Sequence, residues 1–421
     1  MADEQGANMN GHRIGAVCAL ALALVTSSAA IAAPASAEPG AWNPTIVVPA
    51  PSGPSAVGST TLHLVDSERA DPWKPDQRRE LMVTVTYPAA HAENYPLAHY
   101  VSTEFATGAT RDLAAALNLP IEVQGLLGLH SNAHSGAPVQ STAERSLPVV
   151  LFSPGAVVPR IFGTGEAEDL ASRGYVVVSI DHTFDSQAVE FPGLRIVEGI
   201  APPEESAQSA EWLRTALDAR VADTEFVLDE ITALADGHNP DVEQRALPNG
   251  LSQAVDPSRI GMFGHSLGGF TTAEAMARDP RIDAGVNLDG SLGFDDDLGL
   301  AATHGLDRPM LLMSSQQVAD TGAFARSWKA FRDNTPGWTR ELELTRAGHH
   351  SFTDLQTLIP PIAAEVAPEA TGYYIGTIPP ENAIPAVREY VAAAFDRFLR
   401  NRRADILDGA DGRFPDVRYV R

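Results

Sequence analysis

A serine set between glycines is the residue best placed to do chemistry. Residues 264–269 read Gly-His-Ser-Leu-Gly-Gly and directly follow the apolar run Arg259–Phe263. A serine nucleophile requires a sharp strand-to-helix turn that exposes its hydroxyl, and side chains two residues away on either side would collide at such a turn. The pattern therefore predicts Ser266 as the nucleophile of an acyl transfer, with Gly264 and Gly268 required by the turn.

A serine nucleophile also needs a base. An imidazole is suited because it accepts a proton near neutral pH and returns it to the leaving group. In folds built around such a turn, the histidine follows the acid in sequence and lies on a loop after the last strand. Residues 346–352, Arg-Ala-Gly-His-His-Ser-Phe, follow the stretch Glu341–Thr345, and no histidine comes later. Position alone leaves His349 and His350 equally placed as the base.

The acid that orients the imidazole has two candidates, each just beyond a predicted strand. Asp289 directly follows the run Ala284–Leu288, and Asp320 lies several residues after Met310–Ser314. The later strand is the commoner site for the acid in such folds, whereas Asp289 is closer to its strand end. The acidic residues 295–297 are expected to form a solvated turn. The pattern leaves Asp289 and Asp320 both open.

The elements that must position these residues follow a regular rhythm. Short apolar runs alternate with helical stretches, which is typical of a mostly parallel sheet covered by helices on both faces. The predicted strands are an antiparallel opening pair, Thr61–Val65 and Leu81–Tyr87, then Pro148–Ser153, Tyr175–Ile180, Arg259–Phe263, Ala284–Leu288, Met310–Ser314 and Glu341–Thr345. The predicted helices are Thr103–Leu117, Gly165–Arg173, Glu205–Ala235, Gly268–Ala277, Ala323–Asn334 and Ala383–Arg400. With the serine turn, this order predicts an α/β-hydrolase fold in one catalytic domain over residues 60–421.

Acyl transfer further requires two backbone N–H groups directed at the developing oxyanion. The first is expected from Leu267, the residue after the nucleophile, and the second from the loop after Pro148–Ser153. Pro154 has no N–H and cannot be that donor. Asp181 and His182 end another predicted strand near this edge, and we expect them to pack or to fix loops.

These motifs together resemble those of the plasma-type platelet-activating factor acetylhydrolases and their bacterial relatives. The resemblance covers about residues 60–400, and the matching segments are Leu151–Ala156, Asp169–Val177, Ile180–His182, the serine turn, Asn287–Gly290 and Gly348–Asp354. The chain departs from the family pattern at Pro154, where relatives often carry histidine, and in the doubled histidine 349–350.

The resemblance implies both roles and activity. It implies Asp289 as the acid, His349 as the base and Ala156 as the second oxyanion donor. It also implies a carboxylester hydrolase that cleaves lipid or short-chain acyl esters through an acyl-enzyme, with no metal or organic cofactor.

Three other hypotheses use the same scaffold. A serine peptidase would usually need a dedicated subsite for a peptide terminus, often on an added domain, and the sequence shows none. A polyester hydrolase is a second alternative, since exported esterases of this fold can act on such surfaces. A binding protein without catalysis is disfavoured because candidates for serine, acid and histidine are all present.

Charge narrows the class of partner. The 421 residues carry a formal net charge of -24, and no run of Lys and Arg exceeds two residues, as at Arg402-Arg403. Nucleic-acid binding needs concentrated positive charge and is excluded as a function class. An anionic membrane should repel the average surface. We expect a small-molecule or lipid ester as the partner and at most peripheral contact with lipid surfaces.

The start of the chain predicts export. His12 and Arg13 precede the apolar run 14–25, and small residues then lead to Ala37. A polar start, a short apolar core and an exit of small residues predict a Sec signal peptide over residues 1–37 and a secreted mature protein.

Two consequences follow for the mature chain. Cleavage after Ala37 would remove Cys18, the only cysteine, so no disulfide is expected. Residues 38–59 are rich in Pro, Gly and Ala. They predict an extended lead-in that lies on the surface.

Overall fold

The computed structural model describes residues 46–102, 105, 128–140, 146–203, 206–294, 297–319, 322–363, 368–409 and 411–420. The predicted signal peptide, the predicted helix Thr103–Leu117 except for residue 105, and the candidate acid Asp320 lie outside the described residues, as do Asp295 and Asp296. Among the described helices, none has the length and apolar character needed to cross a membrane.

Strands and helices alternate along most of the described chain. The strands are β1 Val57–Ala70, β2 Arg78–Pro88, β3 Leu97–His99, β4 His130–Ser135, β5 Leu147–Ser153, β6 Val176–Asp181, β7 Ala188–Phe191, β8 Arg195–Glu198, β9 Val255–His265, β10 Ile282–Leu288, β11 Gly293–Phe294, β12 Asp297–Leu298, β13 Met310–Ser315, β14 Thr339–Leu344 and β15 Val417–Tyr419. The helices are α1 Thr164–Ser172, α2 Ser206–Ala235, α3 Leu251–Ala254, α4 Leu267–Arg278, α5 Leu300–His304, α6 Gln316–Ala319, α7 Gly322–Asn334, α8 Leu355–Leu358, α9 Pro368–Ile375 and α10 Pro380–Arg400.

One sheet organises the molecule. Its 11 strands lie in the order β15-β14-β13-β10-β9-β5-β6-β2-β1-β4-β3. The six neighbours from β14 to β6 are parallel, and β2 pairs antiparallel with both β1 and β6. The predicted antiparallel opening and the mostly parallel centre are therefore confirmed. The short edge strands β3, β4 and β15 and the separate hairpin β7–β8 were not predicted.

Helices cover both faces of this sheet. All seven residues of β5 are buried, and successive side chains of a strand point to opposite faces. Val149 and Leu151 belong to one apolar cluster, which includes residues of α2, α4 and α7. Val150 and Phe152 belong to another, which includes residues of α1 and α10. This two-sided core confirms the predicted α/β-hydrolase architecture.

In the described part of the lead-in, residues 46–56, exposed side chains alternate with buried or partly buried ones. Ile46 and Val48 are 9% and 6% exposed and join a buried apolar cluster. The backbone N–H of Ser52 donates to the Asp169 carboxylate of α1 at 2.7 Å. Residues 46–56 therefore run along the surface and anchor themselves to the domain through a few buried side chains and backbone hydrogen bonds. Strand β1 begins at Val57, before the predicted boundary at residue 60.

Glycines determine how closely α4 approaches the sheet. A Cβ built on Gly264 of β9 would lie 2.2 Å from the backbone carbonyl carbon of Gly268 in α4. A Cβ on Gly285 of β10 would lie 2.4 Å and 2.5 Å from the sulfur atoms of Met276 and Met310. Methionine side chains can change rotamer, whereas a helix backbone can yield only if the helix moves.

We predict that Gly264→Ala lowers the free energy of unfolding by about 3 kcal/mol or more, because overpacking against backbone cannot relax locally. Gly285→Ala is the matched control and should cost about 1 kcal/mol, because the methionines can yield. Urea denaturation followed by circular dichroism measures both. Equal losses in the two variants would contradict this account of helix position.

Candidate active site

Ser266 occupies a strained turn between β9 and α4. Its backbone has φ 54° and ψ -121°, a conformation that a residue with a Cβ adopts only when its surroundings enforce it. Its N–H donates to the carbonyl of Leu288 in β10 at 2.8 Å. Ser266 is only half-buried although its neighbours are buried. The turn therefore presents the hydroxyl at the carboxyl edge of the sheet, as the glycine spacing predicts.

Two further glycines allow backbone segments to close around this turn. A Cβ on Gly268 would lie 1.9 Å from the carbonyl oxygen of Ser153, at the end of β5. A Cβ on Gly290 would lie 2.3 Å from the carbonyl oxygen of Ser266. Side chains at these positions would displace the loops after β5 and β10 from the serine.

Asp289 and His349 form a buried pair. The ring atom Nδ1 of His349 lies 2.7 Å from Oδ2 of Asp289, and the two residues are 7% and 2% exposed. A carboxylate only accepts hydrogen bonds, so Nδ1 carries the proton and Nε2 of the neutral ring is an acceptor. A general base requires this tautomer, in which Nδ1 is protonated and Nε2 can accept a proton.

Asp289 is held by contacts that were not predicted from the sequence. The backbone N–H of Ser315 donates to Oδ1 at 2.6 Å, and its hydroxyl donates to Oδ2 at 2.8 Å. Asn287 and Gly290 exchange two hydrogen bonds, of 2.7 and 2.9 Å, across the turn in which Asp289 has φ 59°. Ser315 ends the strand paired with β10, and a polar residue at that point was the available signal.

His265 joins the loop of the base to the serine turn. Its Nε2–H donates to the carbonyl oxygen of His349 at 2.8 Å, and the two ring centroids are 4.6 Å apart. Burial, together with the neighbouring His349 and His350, lowers the pKa of His265 well below its usual value, so the ring is neutral. Because His265 directly precedes Ser266, this bond ties the loop that carries the candidate base to the turn that carries the candidate nucleophile. The glycine–serine pattern assigns no role to His265.

His350 has a different environment from His349. Neither ring nitrogen has a hydrogen-bond partner within the described part of the chain, and burial lowers the pKa of His350 to about 3. The ring packs against Tyr374 at a centroid distance of 5.5 Å. Only His349 of the two contacts an acid, which favours the assignment implied by the family resemblance.

The expected oxyanion donors lie on the two segments that flank Ser266. Leu267 is the first residue of α4, where backbone N–H groups have no partner within the helix. On the other side, a Cβ on Gly155 would lie 3.3 Å from Cβ of Ser266, so the residues 153–158, here termed the oxyanion loop, lie against the nucleophile.

Within the oxyanion loop, two N–H groups are already engaged. That of Val157 donates to the Asp185 carboxylate at 3.2 Å, and that of Val158 donates to the Gly155 carbonyl at 3.1 Å. Pro154 has none. The assignment of Ala156 as the second donor is consistent with these contacts and stays a prediction.

Asp181 and His182 contact the segments around this loop, as loop-fixing residues would. Asp181 accepts a hydrogen bond from the backbone N–H of Arg160 at 2.7 Å, and His182 lies 2.9 Å from the hydroxyl of Ser153.

Across the residues that the structure covers, no group of three or more His, Cys, Asp or Glu side chains is arranged to hold a metal ion.

Comparisons with known proteins agree with the motif resemblance. The model of the family described as platelet-activating factor acetylhydrolase, isoform II, matches residues 41–399. A probable 1-alkyl-2-acetylglycerophosphocholine esterase of Arthroderma benhamiae is 27% identical over 401 residues, 89% of this chain and 94% of the relative. The platelet-activating factor acetylhydrolase of Gallus gallus is 23% identical over 300 residues, 64% of this chain and 67% of the relative. The solved ferulic acid esterase of Streptomyces cinnamoneus superposes with a TM-score of 0.73 at 34% identity, and the match covers 90% of this chain and all of the esterase.

We predict that replacing the two adjacent histidines lowers kcat to very different extents. His349→Gln should lower kcat by a factor on the order of 10⁴ or more, because the residues of a triad act as a unit. His350→Phe should change kcat by less than about fivefold, because this buried ring makes only packing contacts with its described neighbours and an aromatic replacement keeps them. Steady-state hydrolysis of one soluble ester at saturating concentration measures both. A loss in His350→Phe as large as that in His349→Gln would reverse the assignment.

Proposed function

Because this chain belongs to the platelet-activating factor acetylhydrolase isoform II family, we propose that it is a serine carboxylester hydrolase. The observation that carries the proposal is the 2.7 Å pairing of His349 with Asp289, on a loop that His265 ties to the turn of Ser266. The names of the relatives support it, since each denotes an esterase or an acetylhydrolase.

In the proposed acylation step, Oγ of Ser266 attacks the carbonyl carbon of the ester while Nε2 of His349 accepts the hydroxyl proton. The imidazolium that forms is stabilised by Asp289, which its Nδ1–H already contacts. The N–H groups of Leu267 and Ala156 donate to the oxyanion, where preorganised donors are most effective because they need no reorientation. Collapse of the tetrahedral intermediate breaks the bond to the leaving alkoxide, which takes the proton from His349.

Deacylation repeats the sequence with water. His349 accepts a proton as the water attacks the acyl-enzyme, and the oxyanion occupies the same two N–H groups. Expulsion of Ser266 Oγ, which recovers the proton, releases the carboxylic acid. Every proton in this cycle passes through one imidazole, so no metal or organic cofactor is required.

The proposed substrates are lipid or short-chain acyl esters. The relatives named above are an esterase of alkylacetylglycerophosphocholine, an acetylhydrolase of platelet-activating factor and a ferulic acid esterase. These names share the ester bond and differ in both acyl and alcohol groups. A peptidase or a polyester hydrolase on the same fold is an alternative outcome of the test below.

We also propose that the protein is secreted after cleavage at Ala37, since residues 1–37 have the order of a Sec signal. N-terminal sequencing of protein recovered from the medium should begin near Glu38. Recovery of a chain that retains Cys18 would contradict this proposal.

The test of the hydrolase proposal is a substrate profile of the wild type and of Ser266→Ala. We predict turnover of p-nitrophenyl esters and of platelet-activating factor by the wild type, and a loss on the order of 10⁴-fold or more in Ser266→Ala without loss of the folded state. Ser258→Ala, an exposed serine at the other end of β9, is the control and should keep full activity.

The same profile should include a peptide anilide and a polyester film. Faster turnover of either than of the soluble esters would favour the corresponding alternative. Equal activity of the wild type and Ser266→Ala on every ester would contradict the proposed function.

A further inference from the structure

We propose that Arg220 and Asp185, a buried ion pair beneath the oxyanion loop, position the N–H of Ala156 for catalysis, so that Arg220 is a positioning residue for ester hydrolysis. This inference rests on the proposed function and identifies how its oxyanion site is assembled. Arg220 lies on α2, and its side chain is fully buried.

Both Nη atoms of the Arg220 guanidinium donate hydrogen bonds to the oxyanion loop. Nη2 donates to the carbonyl of Gly155 at 2.9 Å, and Nη1 donates to the carbonyl of Pro154 and to the hydroxyl of Ser153, the latter at 3.3 Å. Nε donates to the carboxylate of Asp185. A planar guanidinium presents its donors in a fixed fork, so two consecutive carbonyls are held in one orientation.

Peptide planarity converts this contact into a direction for the catalytic N–H. The carbonyl of Gly155 and the N–H of Ala156 belong to the same peptide, and the structure shows no cis peptide bond in its described part. In a trans peptide these two groups point in opposite directions. Because the carbonyl points to Arg220, the N–H of Ala156 points away from it. The candidate nucleophile lies against the loop, since Cβ of Ser266 is 3.3 Å from the position that a Cβ on Gly155 would take.

Asp185 holds the strained part of the same loop. Val157 has φ 58°, which is costly for a β-branched residue and needs support from its surroundings. Oδ1 of Asp185 accepts the N–H of Val157 at 3.2 Å, while Oδ2 accepts from Arg220. The ion pair therefore fixes both the carbonyls before Ala156 and the backbone after it.

A second set of contacts fixes the start of the loop. Oγ of Ser153 lies 2.9 Å from Nε2 of His182, and Nδ1 of His182 lies 2.9 Å from Oδ2 of Asp223. Burial and the charge of Arg220 lower the pKa of His182, so the ring is neutral. Burial opposes ionisation of Asp223, but the charge and hydrogen bonds of Arg79 and the bond from His182 outweigh it and lower the pKa of Asp223 well below its usual value.

The chemistry of the linked side chains determines which atom carries each proton in this hydrogen-bond network. Asp223 can only accept, so Nδ1 of His182 donates and Nε2 accepts from the hydroxyl of Ser153. The oxygen of Ser153 then accepts from Arg220. This serine, histidine and aspartate have the residue types of a triad, yet all three are 0% exposed and none can contact a substrate. Their contacts make them part of the support of the oxyanion loop.

The experiment compares three variants with the wild type and Ser266→Ala. Arg220→Lys keeps the charge opposite Asp185 and removes the fork. Arg220→Met/Asp185→Asn removes both charges, so that folding does not have to tolerate an unpaired buried ion. Arg308→Lys is the control: its guanidinium donates to the backbone carbonyls of Met276, Asp279 and Ile282, away from the serine turn.

Three quantities are measured for each variant: kcat and KM for p-nitrophenyl acetate, and the inhibition constant of an alkyl trifluoromethyl ketone. Oγ of Ser266 adds to the carbonyl carbon of the ketone, and the carbonyl oxygen becomes a hemiketal oxyanion in the same site as that of the transition state. We expect both Arg220 variants to lose about 10- to 100-fold in kcat, because deletion of an oxyanion donor costs about 10²- to 10³-fold and a misdirected donor should cost less. KM should stay within about twofold, and affinity for the ketone should fall by the same factor as kcat/KM. Arg308→Lys should lower the melting temperature only.

The outcomes separate this inference from the proposed function. If the wild type turns over esters through Ser266 but a folded Arg220 variant keeps its kcat and its affinity for the ketone, the positioning role is wrong. A change confined to KM would also overturn it. If the wild type hydrolyses no ester, the proposed function fails and the inference fails with it. Should Arg220→Lys not fold, the double variant decides.

Discussion

The strained backbone of Ser266 is the constraint on which the candidate site depends. A residue with φ 54° and ψ -121° keeps that conformation only if its neighbours hold it. Here the strand before it, the helix after it and the carbonyl of Leu288 do so. A Cβ on Gly264, Gly268 or Gly290 would meet backbone atoms first, so these three glycines let backbone segments close around the turn. The same absence of side chains lets the loops after β5 and β10 approach the serine. One strained residue thus organises nucleophile, acid and oxyanion loop at a single edge of the sheet.

Strain recurs at the other parts of the site, each time with a buried polar support. Asp289 has φ 59° and is held by Ser315, and Val157 has φ 58° and is held by Asp185. These hydrogen bonds hold the strained backbone effectively because they are buried. Any other conformation would leave a buried polar group without a partner, at a large cost in free energy. Burial of apolar side chains on the two faces of the sheet contributes the folding free energy that offsets this local strain.

The sequence predicted most of the fold, because periodicity and the glycine spacing are local signals. The six central strands and the serine turn were found in this way, with boundaries shifted by a few residues. Choosing Asp289 over Asp320 and His349 over His350 required the family resemblance, since both members of each pair satisfy the same local pattern.

What the sequence could not supply lies in contacts between residues far apart in the chain. His265 and Ser315 look like an ordinary strand end, and Arg220 lies in the middle of a 30-residue helix with no pattern to distinguish it. The same holds for Ile46 and Val48, whose burial depends on an apolar cluster contributed by distant segments. Tertiary partners decide the role of such residues, and a single sequence does not list them.

The assignment of Ser266 as the nucleophile is tested most directly by reacting the wild-type protein with a fluorophosphonate and mapping its peptides by mass spectrometry. A phosphonate forms a stable covalent bond only with a serine whose hydroxyl is exposed and activated by a neighbouring base. We predict one adduct, on the peptide that contains Ser266, and none on Ser153, which is hydrogen-bonded to a histidine but fully buried. An adduct on another residue with Ser266 unmodified would contradict it.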